Sequence, residues 1–200
     1  VQTCALPIYL TQLLEAGEKN QLANDQFAQF LLQLDPQNVD QKVHALNKEI
    51  APKIDCTACG NCCKTLLINI NEKEADALSE HLDQTREIFD QNYLEKGMNG
   101  TLLINAVPCH FLQENKCTVY NYRFEGCKEF PAMHLPHFTK RLFTTFMHYN
   151  RCPIIYNIVE QLKIETQFVL EPESETVTVA FPAFSFTVKS AIEIFTNVAR

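Results

Sequence analysis

Between residues 56 and 63 the chain reads Cys56-Thr57-Ala58-Cys59-Gly60-Asn61-Cys62-Cys63, four thiols spaced C-x-x-C-x-x-C-C. Four more follow singly: Cys109, Cys117, Cys127 and Cys152. Thiolates are soft, strongly donating ligands, and a C-x-x-C turn carries two of them to the same side. With Zn–S about 2.3 Å, a tetrahedral ion holds its sulfurs roughly 3.7 Å apart, and eight thiols make two closed four-cysteine sites. C-x-x-C-x-x-C is equally the three-ligand turn of ferredoxin-type iron–sulfur cubanes. Their remote fourth cysteine is often followed by proline, as Cys152 is by Pro153. Disulfides are the third chemistry. They usually close longer loops than this run offers, and the chain has apolar residues enough to fold without staples. Cys62 and Cys63 are neighbours whose side chains are expected to point apart, serving two different sites or flanking one bridged metal.

The bulk composition limits what surrounds these thiols. The chain has 200 residues, 46% of them apolar, with 14 Phe, enough for one domain with a core and an appendage. A net charge of −7 supplies no basic stripe for nucleic acid. No apolar run is long enough for a membrane-spanning helix. The five glycines form neither a G-x-G-x-x-G nor a P-loop, so no nucleotide or methyl-donor site is signalled. Residues 1–8, VQTCALPI, read as the in-frame translation of a common sequencing adapter. They are expected to be an artefact, which removes Cys4 from the thiol count.

The elements that must position the thiols are mostly helical. Residues 10–34 place Leu22, Phe27, Phe30, Leu31 and Leu34 on one helical face, and Asp35-Pro36 ends it. A helix over 39–51 turns Val43, Leu46 and Ile50 inward, and Pro52 delivers the chain to Cys56. After the cluster come a β-like run at 66–70 and a helix opened by Asn71 with Glu74 in capping-box position. A helix over 85–94, a turn at 97–100 and a strand over 101–107 follow. Residues 111–120 read as a hairpin with a four-residue loop, and 137–149 and 153–162 as helices. Beyond Lys163 the pattern changes to a hairpin, 168–170 against 176–179. The expected organisation is therefore a mainly α domain with short β elements (α+β), folded around one cysteine centre over 9–163, with a β-hairpin-like appendage over 164–200.

Several of these pieces together resemble the YkgJ-like cysteine-cluster family. They are C-x-x-C-G-x-C-C, then Pro108-Cys109-His110-Phe111-Leu112, then Cys117-Thr118-Val119-Tyr120 with Arg123, then Cys127-Lys128-Glu129-Phe130-Pro131, then Cys152-Pro153. The resemblance covers about residues 39–162. It implies a zinc- or iron-chelating domain whose ligands are Cys56, Cys59, Cys62, Cys63, Cys109, Cys117, Cys127 and Cys152. Where the family has Arg-Pro this chain has Arg123-Phe124, and where it has Cys-Arg the chain has Cys127-Lys128. Neither departure touches a thiol. Some relatives carry a flagellin lysine N-methylase label, which would imply a protein methyltransferase or its accessory, but no methyl-donor signature accompanies it here.

Arg123 and Lys128 flank the thiols and could offset the negative charge of a thiolate cluster. His110, beside Cys109, and His134, His137 and His148 read as surface or core residues, and Tyr120 and Phe130 as packing around the cluster. The leading expectation is a cytoplasmic metal-binding protein holding an iron–sulfur cluster or zinc. It would be a redox or electron-transfer component if the metal is iron, and a non-enzymatic zinc-stabilised interaction module otherwise. A cleft lined by Arg123, Lys128 and histidines would favour an enzyme, and a closed cluster under an apolar patch a binding module.

Overall fold

The computed structural model describes residues 10–172, 180–181 and 184–185. The expected artefact at 1–8 and the expected strand at 176–179 lie outside these residues. The chain divides into two compact units between Phe168 and Val169.

The first unit has two apolar cores. The larger is helical. Its frame is α3 (Pro36–Ile50) packed on α10 (Pro153–Glu165). Asp35 caps α3 by accepting the Asn38 N–H at 2.8 Å, and Pro36 fills a first-turn position that needs no donor. Val39, Val43, Leu46 and Ile50 recur at spacings of four and three and form the buried stripe of α3. From α10 come Ile154, Ile155, Ile158, Val159 and Leu162. Phe27 and Leu31 complete the core from α2 (Gln21–Leu31).

The N-terminal helix expected to run unbroken is two helices, α1 (Leu10–Lys19) and α2. The break falls at Asn20, whose backbone leaves the helical region and whose side chain donates to the Tyr149 hydroxyl at 2.9 Å. Gly17 lies against Asn150 so closely that a Cβ there would sit 2.5 Å from the Asn150 side chain. Contact with the segment before Cys152 therefore overrides local helix propensity. Similarly, residues 138–147 form a 3-10 turn (Phe138–Arg141) followed by α9 (Leu142–Met147), not one helix. Asp40 of α3 accepts the N–H groups of His137 and Phe138 and fixes that start.

The smaller core lies under a three-stranded antiparallel sheet in the order β1–β3–β2: β1 (Asn69–Ile70), β2 (Leu94–Lys96) and β3 (Leu102–Ile104). Helices α6 (Glu72–His81) and α7 (Arg86–Tyr93) cover it. Asn71 and Glu74 form the expected reciprocal capping box, and Thr85 caps α7. Strand β2 is unforeseen, since three residues directly after a helix carry no readable alternation. The hairpin near 111–120 pairs β4 (Leu112–Gln113) with β5 (Lys116–Cys117), so its loop is two residues, not four. Glu114 and Asn115 both take positive φ, as a tight hairpin turn requires.

In the second unit, β6 (Ala180–Phe181) pairs antiparallel with β7 (Phe184–Ser185). Residues 168–170, expected as a strand, are irregular. Among the described residues no helix is long and apolar enough to cross a membrane.

A candidate metal centre at the seam of two cores

The C-x-x-C-x-x-C-C run folds as two short helical turns, α4 (Cys56–Cys59) and α5 (Asn61–Thr65). Asp55 opens the first by accepting from the Thr57 hydroxyl and N–H and from the Ala58 N–H, which also holds its carboxyl below the ordinary range. Gly60, at φ +58°, joins the turns in the left-handed region. A Cβ there would also meet the Asn115 carbonyl at 2.8 Å, so glycine lets α4 lie against the β4–β5 turn.

The remaining thiols reach this run from both cores. The Cys109 N–H donates to the Cys63 carbonyl at 2.8 Å, joining their segments backbone to backbone. Cys117 stands on β5 opposite Leu112. Cys127 lies on α8 (Glu125–Glu129), a helix that sequence reading missed because five residues show no periodicity. Cys109, Cys117 and Cys127 pack on the smaller core. Cys152 belongs to the helical core, 5% exposed, directly before α10. The Asn61 amide donates to the Arg151 carbonyl at 2.7 Å and ties α5 to that segment.

All eight cysteines among the described residues are free, and all eight line one cavity of about 200 Å³ at the seam of the two cores. Cys152 is buried at one side, Cys56 is exposed, and the other six are half-buried. Ile54 and Ile154 border the cavity from the helical core, and Ile68, Phe111, Val119 and Phe124 from the smaller one. Tyr120 and Phe130 line it as expected. Arg123, Lys128 and Arg151 are its cationic lining residues, and among the described residues no Asp or Glu lines it. Arg151 escaped the sequence reading, although its place beside Cys152 was the available signal.

No histidine lines the cavity. His110 bonds Asn105 and packs edge-on against Tyr93. The His137 N–H bonds Asp40, and the His148 ring meets Phe130 edge-on, where burial lowers its pKa. The surroundings thus match neither half of the expectation fully. The cavity has the arginines of an enzyme's cleft without the histidines, in a largely apolar wall.

Cys62 and Cys63 do not point apart. Their sulfurs are 4.0 Å from each other, in hydrogen-bond contact. Cys109 bonding at Cys63 and Asn61 bonding at Arg151 pull the turn from both sides, which leaves the two sulfurs facing one cavity. That contact keeps the proton on Cys62, far above the ordinary thiol range, and draws Cys63 below it. Burial pushes Cys127 and Cys152 up to about 12, and raises Cys56 and Cys109.

The donor set is therefore uniformly soft sulfur, gathered from the 56–63 run and four separate later positions. Among the described residues, no three His, Cys, Asp or Glu side chains are yet close enough to hold one metal ion. The sulfurs converge on a common space without closing on a point. Residues 55–153 match the family model CxxCxxCC, described as a putative zinc- or iron-chelating domain. This stretch of the chain belongs to that family. Neither the comparison with curated proteins nor that with solved structures returned a match. The CxxCxxCC domain runs from Asp55 at the mouth of α4 to Pro153 at the start of α10; it holds all eight thiols and the smaller core, while α2, α3 and the rest of α10 lie outside it. Its family description accounts for metal chelation, by zinc or iron.

Proposed function

We propose that the eight thiols form two adjoining four-cysteine groups, Cys56, Cys59, Cys62 and Cys152 in one, Cys63, Cys109, Cys117 and Cys127 in the other. The observation that carries this reading is the lining of a single cavity by all eight sulfurs. The neighbourhoods support the division. Cys56 feels the charge of Cys59 and Cys62, and Cys152 that of Cys56 and Cys62. Cys63 feels Cys109, Cys117 and Cys127, while Cys62 acts on both sides, on Cys56 and Cys152 and also on Cys109 and Cys127. Cys62 and Cys63, in contact, are where the groups meet.

The first group combines C-x-x-C-x-x-C with a remote Cys-Pro, the ligand pattern of an iron–sulfur cubane. An iron–sulfur cluster would supply one-electron transfer there. The chain's own residues serve that role by excluding water with the apolar wall, offsetting thiolate charge with three cations, and leaving the Cys56 side open to solvent. We therefore read the protein as an iron–sulfur redox component. The second reading is a zinc-stabilised interaction module. It is favoured by the division of eight thiols into two sets of four, which closed zinc sites require.

Anaerobic purification followed by an absorption spectrum, metal analysis and sulfide analysis separates the two. Brown protein with iron and acid-labile sulfide supports the redox reading. Colourless protein with about two zinc ions per chain, as two four-cysteine sites would hold, refutes it in favour of the module.

A further inference from the structure

Arg123 is a lining residue with a buried side-chain donor that has no partner. It follows the short 3-10 turn Tyr120–Tyr122, and its guanidinium stacks on the Tyr120 ring with the central carbon 3.8 Å from the ring centroid. Its Nε is buried and has no hydrogen-bond partner. Among the described residues no carboxylate pairs with it, and none lines the cavity it borders. Arg141 also has an unpaired Nε, but two of its terminal nitrogens are taken up by the carbonyls of Ala132 and Leu135. Lys128 is satisfied differently, with Glu125 at 3.4 Å and half of its side chain in solvent.

A buried N–H of a permanently charged group without an acceptor is costly, and such groups persist where they have a partner to meet. The cavity that Arg123 borders is lined by all eight sulfurs. The positive charge of Arg123 acts on Cys56 and on Cys127, which lie in different four-cysteine groups. The Tyr120 face fixes the plane of the guanidinium, so the direction of its N–H bonds is set before any ligand arrives. Eight thiolates holding two divalent ions retain four net negative charges, and a planar donor between the groups offsets part of that for both at once.

We infer that Arg123 is the charge-compensating and positioning residue of the centre: stacked on Tyr120, it donates N–H···S hydrogen bonds into the sulfur cavity and holds the two four-cysteine groups side by side. The inference rests on the two-group reading above. It assigns the fork of the guanidinium, and not only its charge, to the function. Lysine in its place keeps the charge and loses the planar donors.

The test is chelator competition on anaerobically purified full-length protein loaded with zinc or with iron and sulfide, at fixed pH and ionic strength. Arg123→Gln should load the same amount of metal as the wild type but surrender it to EDTA about 10–100-fold more readily, the usual scale for loss of an outer-shell donor. Arg123→Lys should recover little of that loss. In Arg123→Ala, added ethylguanidinium should restore retention where ethylammonium at the same concentration does not. Lys48→Gln, an exposed cation on α3, controls for net charge and should behave as wild type. Equal retention by Arg123→Gln and wild type overturns the inference alone, as does full recovery by Arg123→Lys or by ethylammonium. A wild type that takes up neither metal overturns the two-group reading and the inference with it.

Discussion

The helical core and the lobe beyond it reach order by different means. In the first, α3 and α10 are 15 and 13 residues long, and they bury complete apolar stripes against each other and against Phe27 and Leu31. In the second, the elements nearest the thiols are tiny. Helices α4, α5 and α8 have four or five residues, and β4 and β5 have two each. Helices and hairpins this short do not persist by themselves in water. Seven of the eight thiols sit on or beside such elements, and the eighth, Cys152, is embedded in the helical core. Apolar burial thus fixes Cys152 within long helices, while Cys109, Cys117 and Cys127 are carried against the smaller core on short elements that a bound metal would hold together.

Metal removal should break that comparison most visibly. Stripping the protein with a chelator should strip hydrogen-exchange protection from residues 56–65 and 109–130, while α3 and α10 keep theirs. Uniform loss across both regions would mean that the helical core depends on the metal equally. Lowering the pH should act in the same direction. Metal must displace protons from its thiols, and burial that raises Cys127 and Cys152 to about 12 extends that proton release to higher pH. Affinity should therefore rise with pH and fall on acidification, as a metal-indicator titration would record.

The converse experiment strikes the helical core. Phe27 is fully buried among Phe30, Phe146 and Phe168. Phe27→Ala should cost about 3–5 kcal/mol in denaturant unfolding. Because Cys152 is set by this core, the cost should persist in the metal-free protein. A variant destabilised only when metal is bound would contradict this.

Gly60→Ala tests the seam more gently. It forces a Cβ into the left-handed region and against the Asn115 carbonyl, costing about 1–3 kcal/mol. The loss should appear in metal affinity, with the melting of the helical core little changed. The smallest effect belongs to Asp35→Ala, which removes the cap of α3 for about 1 kcal/mol. It should lower stability and leave metal retention untouched.

The same contrast explains what could be read from the sequence. The stripes of α3 and α10 announce themselves by spacing, and Asn71 with Glu74 announces its capping box, because these are local facts of the chain. The eight thiols were legible as a set because of their chemistry, although only three-dimensional contact gathers them. What escaped was short or tertiary. Helix α8 and strand β2 are too brief to show a period. The break at Asn20 depends on Tyr149 and Asn150, about 130 residues away, roughly the full length of a domain. The approach of Cys62 to Cys63 follows from bonds made by Cys109 and Asn61, which no local rule foretells.

The central claim is that all eight thiols serve one centre, and counting them directly is its most direct test. Folded, metal-loaded protein should be alkylated anaerobically, then stripped with chelator, denatured and alkylated with a second, mass-distinct reagent, and each cysteine read by peptide mass spectrometry, with Cys4 left out of the count. Cys56, Cys59, Cys62, Cys63, Cys109, Cys117, Cys127 and Cys152 should all carry the second label. If any four or more of them carry the first label while the protein remains folded and loaded, the eight-thiol centre is wrong.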